Sequence, residues 1–330
     1  MASNIKIDRE MRPILDQMLA RAAARPPGTA VSVVEMRQRA EADLAQWNRG
    51  APPLPCVEDR VLSIGEQRLP IRIYKPVDTD APRPTLVYCH GGGWVIGSLD
   101  TEDYSLRLLA RESGCNIVSV DYRLAPEHKC PAAVLDCVAV IDYLRRHGQG
   151  FGIDEKKLAL GGASAGANIA LAAAIVLRDR GNSPIRLCLL FYGAFSPYQT
   201  SATHRRFGNG DYFLSSEAMR YFWDCYLEDA AQAKSALANP FCAKLEGLPP
   251  MHLLAAELDP LLDDTLALAS ELEAAGVPVT CSLYAGVVHG FTVMARDLGV
   301  GRQALDDAAR SLGDRLMRAE SPVASDAGHR

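Results

Sequence analysis

Apolar and polar positions change rhythm along this chain of 330 residues, and each rhythm predicts a different element. Over residues 8–50 the spacing is helical: Met36, Ala40, Leu44 and Trp47 recur on one face, Ser32 and Glu35 have the spacing of a capping box, and Gly50 stands as a stop. The run APPLP then breaks the chain. From Cys56 to Lys75 the residues alternate around a glycine-containing turn, which predicts an antiparallel strand pair at the start of a sheet.

Beyond Pro84 the pattern becomes short, unbroken apolar runs separated by helical stretches: TLVYC, NIVSV, KLALGG, LCLLFYG, MHLLAAE and VTCSLY. A strand apolar on both faces must be covered on both, so these runs predict parallel strands between two layers of helix. Together they give an α/β fold with a mostly parallel sheet of about eight strands flanked by helices. The run Val279 to Tyr284 is expected at a sheet edge, where pairing with a second copy would make a homodimer.

Residues 196–239 interrupt the rhythm with a polar start and then FLSSEAMRYFWDCYL, an aromatic-rich helix too long for a plain connection. The expected organisation is a catalytic domain over 51–195 and 240–318, with a helical cap built from residues 1–50 and the insertion 196–239. Residues 319–330 have no apolar period and are expected to be disordered.

Composition adds little: 48% hydrophobic and 23% charged residues describe a globular protein with a sizeable core. A formal net charge of -5 gives no reason to seek a polyanion, which disfavours nucleic acid as a partner. The first twenty residues mix charge into their apolar positions and no later run approaches the length of a membrane span, so a cytoplasmic protein without stable membrane insertion is expected. Nine cysteines fall in no CxxC or Cys/His pattern suited to a metal. They read as reduced, mostly buried small hydrophobes, Cys89 included.

Candidate chemistry begins at Gly162-Ala163-Ser164-Ala165-Gly166, a GxSxG between an apolar strand and a helix rich in small residues. A sharp strand-to-helix turn projects the serine hydroxyl clear of the sheet, and the flanking glycines avoid clashes. The plainer reading is a turn whose serine merely caps the helix. A nucleophilic serine needs a histidine to take its proton and a carboxylate to hold that histidine, following downstream in the order Ser, Asp, His. Asp259, stopped by Pro260 at the end of MHLLAAE, is the expected acid, with Glu257, Asp263 and Asp264 as rivals; the last two look like first-turn acids of the next helix. His289, after the final strand and before Gly290, is the expected base. Among the other histidines, His128, His147, His204 and His329 have polar contexts suggesting solvent, and His252 opens a strand.

The run His90-Gly91-Gly92-Gly93-Trp94 follows the first parallel strand. A phosphate cradle fails on spacing, since Gly91, Gly93 and Gly97 do not make GxGxxG and no GK[ST] follows. An unemployed flexible turn would be costly in folding entropy. Backbone N–H groups aimed at the developing oxyanion of acyl transfer suit a nucleophilic serine better.

These residues, with the run Asp121 to His128 (DYRLAPEH), Asp259-Pro260-Leu261 and His289-Gly290-Phe291, resemble the hormone-sensitive-lipase-like family of α/β-hydrolase esterases, in order and separation from about residue 80 to 317. The resemblance implies the α/β-hydrolase fold and a carboxylic ester hydrolase with Ser164, Asp259 and His289 as triad. It further implies an oxyanion hole of Gly92, Gly93 and Ala165 N–H groups, in a loop shaped by His90 and Gly91. Ala163 stands where that family often has Asp or Thr. Arg123 and Glu127 are expected to make buried polar contacts, with substrate binding by Arg123 as the alternative. Trp94 and Phe213 are the expected pocket residues, whereas Phe207, Phe222 and Trp223 are expected mostly in the cap's own core. The substrate expected is a small-molecule ester of short- to medium-chain acyl groups, with no cofactor or metal. An amidase or lactonase would use the same residues.

Overall fold

The unbroken apolar runs become strands of one sheet in a computed structural model that describes residues 6–24, 31–79, 81–181 and 183–317. The tail expected at 319–330 and His329 lie outside the described residues. The strands are β1 (Cys56–Ile64), β2 (Gln67–Lys75), β3 (Arg83–Cys89), β4 (Asn116–Val120), β5 (Ile153–Ala163), β6 (Ile185–Phe191), β7 (Met251–Leu258) and β8 (Val279–Val288). Their order across the sheet is β1-β2-β4-β3-β5-β6-β7-β8. The first two pairings, β1 with β2 and β2 with β4, are antiparallel, and all the others are parallel.

Burial follows from position. β1, at one edge, has exposed and half-buried positions along almost its whole length, whereas every residue of the central β4 is buried. The described helices are α1 (Met11–Ala23), α2 (Val33–Leu44), α3 (Asp103–Ser113), α4 (Ala132–His147), α5 (Ala165–Asp179), α6 (Ala202–Phe207), α7 (Ser216–Tyr226), α8 (Leu262–Ala274) and α9 (Gly299–Met317). On one face Val87 and Cys89 of β3 pack with residues of α4, α5 and α8. On the other, Leu86 and Tyr88 pack with α1, α3 and α9. Alternate residues of one strand thus feed two cores, as the pleat requires.

The helical reading of residues 8–50 resolves into α1 and α2, followed by turns that end at Gly50, whose φ of 69° is left-handed. Ser32 caps α2 by accepting from Glu35 N–H at 3.2 Å. The reciprocal half of the capping box is absent because the Glu35 carboxylate pairs with Arg39 instead. α2 is tied to the loops after β3 and β4 by Arg37, which donates to Val95 O and Ala125 O and pairs with Glu127.

All nine cysteines are free, and five, including Cys89, are buried. The Cys137 contact and burial hold the Cys89 thiol far above its ordinary pKa, as befits a packed strand residue. β8 lies at the sheet edge with Leu283 exposed. No helix among the described residues is long and apolar enough to cross a membrane.

Candidate active site

The strand order reverses beside β3: the chain steps outward to β4 and then returns to add β5 on the other side. Such a switch point opens a crevice at the carboxyl ends of the two strands. Cys89 pairs with Gly162 across it, so the residues that follow, His90 to Trp94 and Ser164, emerge side by side although far apart in sequence.

The turn between β5 and α5 holds Ser164 at φ 54° and ψ -117°, backbone that a non-glycine residue adopts only at a cost of about 1–3 kcal/mol. The turn is tight because α5 lies directly on β3. A Cβ on Gly166 would stand 2.0 Å from Cys89 O, so only glycine permits this approach. Ser164 O accepts from Ala194 N–H and Ser164 N–H donates to Phe191 O, and these bonds fix the strained residue from both sides.

Ser164 Oγ–H donates to His289 Nε2 at 2.9 Å, and His289 Nδ1–H donates to Asp259 Oδ2 at 2.7 Å. The second carboxylate oxygen, Oδ1, accepts from Leu261 N–H at 2.8 Å. Asp259 is 1% exposed, and Tyr192 meets the imidazole edge-on at 5.0 Å. Of the rival acids, Glu257 accepts from Gly286 N–H, Asp263 accepts from Thr203 N–H, and Asp264 is buried with its pKa pushed up to about 8. None of the three bonds His289. Gly290, which follows the histidine, has open space around it; its left-handed φ of 78° is what the turn requires.

The glycine loop is held open around three backbone donors. Among the described residues no hydrogen bond has the N–H of Gly92, Gly93 or Ala165 as donor. Gly92 has φ 122°, and a Cβ there would stand 2.1 Å from Ile96 O. His90 shapes the loop: it stacks on Tyr122 at 4.3 Å, and its Nδ1–H donates to Gly91 O at 2.8 Å. Burial lowers its pKa to about 4, so the ring is neutral near pH 7.

Sequence reasoning missed Glu102, which lies just before α3 and reads there as an ordinary acid near a helix start. It is 3% exposed, accepts from Gly91 N–H at 2.8 Å and from Tyr88 OH at 2.5 Å, and lines the same cavity as Ser164. Burial pushes its pKa up against these two donated bonds. Glu102→Ala should therefore loosen the glycine loop and lower kcat by about ten- to a hundredfold with little change in KM, Glu102→Gln less so. Steady-state kinetics of the two variants check this; an unchanged kcat in the alanine variant would contradict it.

A cavity of about 280 Å³ opens onto Ser164 and His289, walled by Gly91 to Gly93 and, on the apolar side, by Leu44, Ile96, Leu214, Met219 and Val293. Phe213 lines it, and so does Phe222, whose ring covers Gly93. Phe207 and Trp223 are buried in the packed core. Trp94 does not line the cavity, contrary to expectation. It is 1% exposed, stacks on Tyr226 at 4.5 Å and meets Trp223 at 4.3 Å, because the indole buries more surface among these rings than it could at the cavity wall.

Arg123 likewise does not line the cavity. Its guanidinium forms a bidentate pair with the buried Asp136, Nη2 to Oδ1 at 2.7 Å, a contact that the substrate-binding alternative would have to break. Glu127 is half-exposed and pairs with Arg37, so its expected burial is corrected. His204, expected in solvent, is 3% exposed, its ring bonded to Ser201 Oγ at 2.7 Å and its pKa lowered by burial. His252 is buried in β7, where Nε2 meets Ser282 Oγ. No group of three or more His, Cys, Asp or Glu among the described residues is arranged to hold a metal ion.

Comparison with known proteins places this geometry in a family. A family model described as alpha/beta hydrolase fold matches residues 86–293. An acetyl esterase of Salmonella paratyphi B is 34% identical over 291 residues, 86% of this chain and 88% of its own. The ester hydrolase EH1AB1 from the metagenome of Lake Arreo, solved with a derivative of bipyridine phosphonate, superposes with a TM-score of 0.89 at 34% identity, covering 94% of this chain and all of its own. An esterase of Pyrobaculum calidifontis superposes with a TM-score of 0.86 at 34% identity, over 93% of this chain and 98% of its own. The chain belongs to the α/β-hydrolase fold family, and within it to the hormone-sensitive-lipase-like carboxylic ester hydrolases.

Proposed function

We propose that this chain hydrolyses small-molecule esters of short- to medium-chain acyl groups through Ser164, His289 and Asp259. The observation that carries the proposal is the unbroken run of hydrogen bonds from Ser164 Oγ through both nitrogens of His289 to Asp259, beside three backbone N–H groups without a partner among the described residues. His289 takes the Ser164 proton as Oγ attacks the ester carbonyl, and Asp259 stabilises the imidazolium that forms. The carbonyl oxygen gains negative charge and is received by the N–H groups of Gly92, Gly93 and Ala165, typically worth about 3–4 kcal/mol of barrier per donor. His289 then protonates the leaving alcohol. Water, activated by the same imidazole, releases the acid and restores the serine.

A short acyl chain is supported by the cavity, whose 280 Å³ is at the small end for ligand sites and whose far wall is apolar. It is also supported by the acetyl esterases to which the chain is similar. In a series of p-nitrophenyl esters, kcat/KM should be highest at acetate or butyrate and fall toward the longer chains. Phe222→Ala, which opens the wall over Gly93, should move the optimum to longer esters. Decanoate as the best substrate of the unaltered protein would sink the size argument. Matched amide and lactone substrates distinguish an amidase or lactonase working with the same side chains.

The cap in this reading comprises residues 1–50 and 196–239, with residues 51–195 and 240–318 forming the catalytic domain. α2 and α7 support that division, since Leu44 and Phe222 wall the cavity from above. A cytoplasmic location and a homodimer paired along β8 belong to the same proposal. Sedimentation at micromolar concentration tests the dimer.

A further inference from the structure

The loop that carries Asp259 is short, and its own backbone holds it in part: Leu261 N–H donates to Asp259 Oδ1 at 2.8 Å, Leu262 N–H donates to Asp259 O at 3.2 Å, and Thr265 N–H donates to Leu261 O at 3.2 Å as α8 begins. A second hold comes from a different part of the chain. Thr203, the second residue of α6, donates its hydroxyl to Pro260 O at 2.9 Å and accepts from Asp263 N–H at 3.2 Å. In return Asp263 Oδ2 accepts from Thr203 N–H at 2.9 Å.

The first N–H groups of any helix lack partners within it. Thr203 and Asp263 each stand second in a helix, and the side chain of each satisfies the backbone N–H of the other. The two helix starts therefore cap one another across the end of β7. One sits in the segment proposed as the cap, the other directly follows Asp259.

We propose that Thr203 is a positioning residue for ester hydrolysis: this reciprocal capping holds Pro260 and Asp263 in place, so that the Asp259 carboxylate stays on His289 Nδ1. The inference rests on the triad reading given above. Its consequence is that the insertion shapes the cavity and also anchors the catalytic acid, so that a displacement of α6 is felt at the imidazole without any change at Ser164.

Thr203→Val keeps the shape and removes both hydroxyl bonds, and Thr203→Ser restores them. With p-nitrophenyl butyrate, Thr203→Val should lose about ten- to a hundredfold in kcat with KM within about twofold, and Thr203→Ser should recover most of the loss. The downfield proton resonance of His289 Nδ1–H should shift or broaden in the valine variant and return in the serine variant. Unaltered kcat and resonance in Thr203→Val, or equal losses in both variants, would overturn the proposal. If Thr203→Val fails to fold, Asp263→Ala removes the carboxylate that accepts from Thr203 N–H and carries the same readouts. Asp259→Asn, assayed alongside, separates the two readings: harmless, it removes the triad assignment itself; crippling beside a harmless Thr203→Val, it removes the clasp alone.

Discussion

Ser164→Ala is expected to lower kcat on p-nitrophenyl butyrate by about a millionfold, leaving only the modest residual rate that oxyanion donors and substrate binding supply without a nucleophile. The expectation follows from what Oγ touches. Among the described residues its one hydrogen bond is to His289 Nε2, and alanine leaves no nucleophile at that position. The fold should be untouched, because the side chain is small and the bonds that fix this turn are made by the backbone, Ser164 N–H to Phe191 O and Ala194 N–H to Ser164 O. Alanine inherits the strained φ of 54°, so thermal stability should shift little in either direction. Kinetics with a thermal melt on the same preparation check both halves. Substantial turnover in a folded variant would remove Ser164 from the mechanism.

Asp259→Asn should cost about ten-thousandfold in kcat, less than loss of the serine but far more than any change at the neighbouring acids. A neutral amide cannot stabilise the imidazolium, and its NH2 favours the tautomer with the proton on the wrong nitrogen. The comparison that decides the assignment is with Asp263→Asn. Asp263 lies in the same loop, yet its carboxylate meets Thr203 N–H and not His289. An asparagine there still offers an oxygen to that N–H, so the loss should be no more than about tenfold. Reversed magnitudes would transfer the acid's role to Asp263. Glu257, engaged with Gly286 N–H, should affect stability before turnover.

What could be read from the sequence was what local rules determine. Six apolar runs beyond Pro84 are six strands of the sheet; five lie inside it, where a strand buried on both faces has no choice but to be apolar throughout, and the sixth, β8, lies at its edge. The positions of Ser164, Asp259 and His289 at strand ends were legible for the same reason, since each follows an apolar run and is punctuated by Gly or Pro. Their convergence depends on strand order, which brings β5, β7 and β8 to one end of the sheet.

Features decided by packing through space were not legible. Trp94 adjoins the glycines in sequence, yet its left-handed φ of 61° and the rings of Trp223 and Tyr226 set its direction. His204 has polar neighbours in the chain and still lies buried, because α6 starts against the loop of Asp259. Glu102 carries no local signal of its bond to Gly91, which depends on where α3 begins relative to β3. Half of the capping box at Ser32 and Glu35 was lost to an ion pair on the same helix, a competition that the motif itself does not reveal.

Catalysis as proposed requires that Ser164 become covalently acylated, and trapping that bond is the decisive experiment. The protein is incubated with a p-nitrophenyl phosphonate ester, and the intact mass and its peptides are followed as activity is lost. One adduct per chain is expected, on the peptide containing Ser164, formed in step with inactivation and absent from Ser164→Ala. Complete inactivation with the adduct on another residue, or with no adduct, would contradict it.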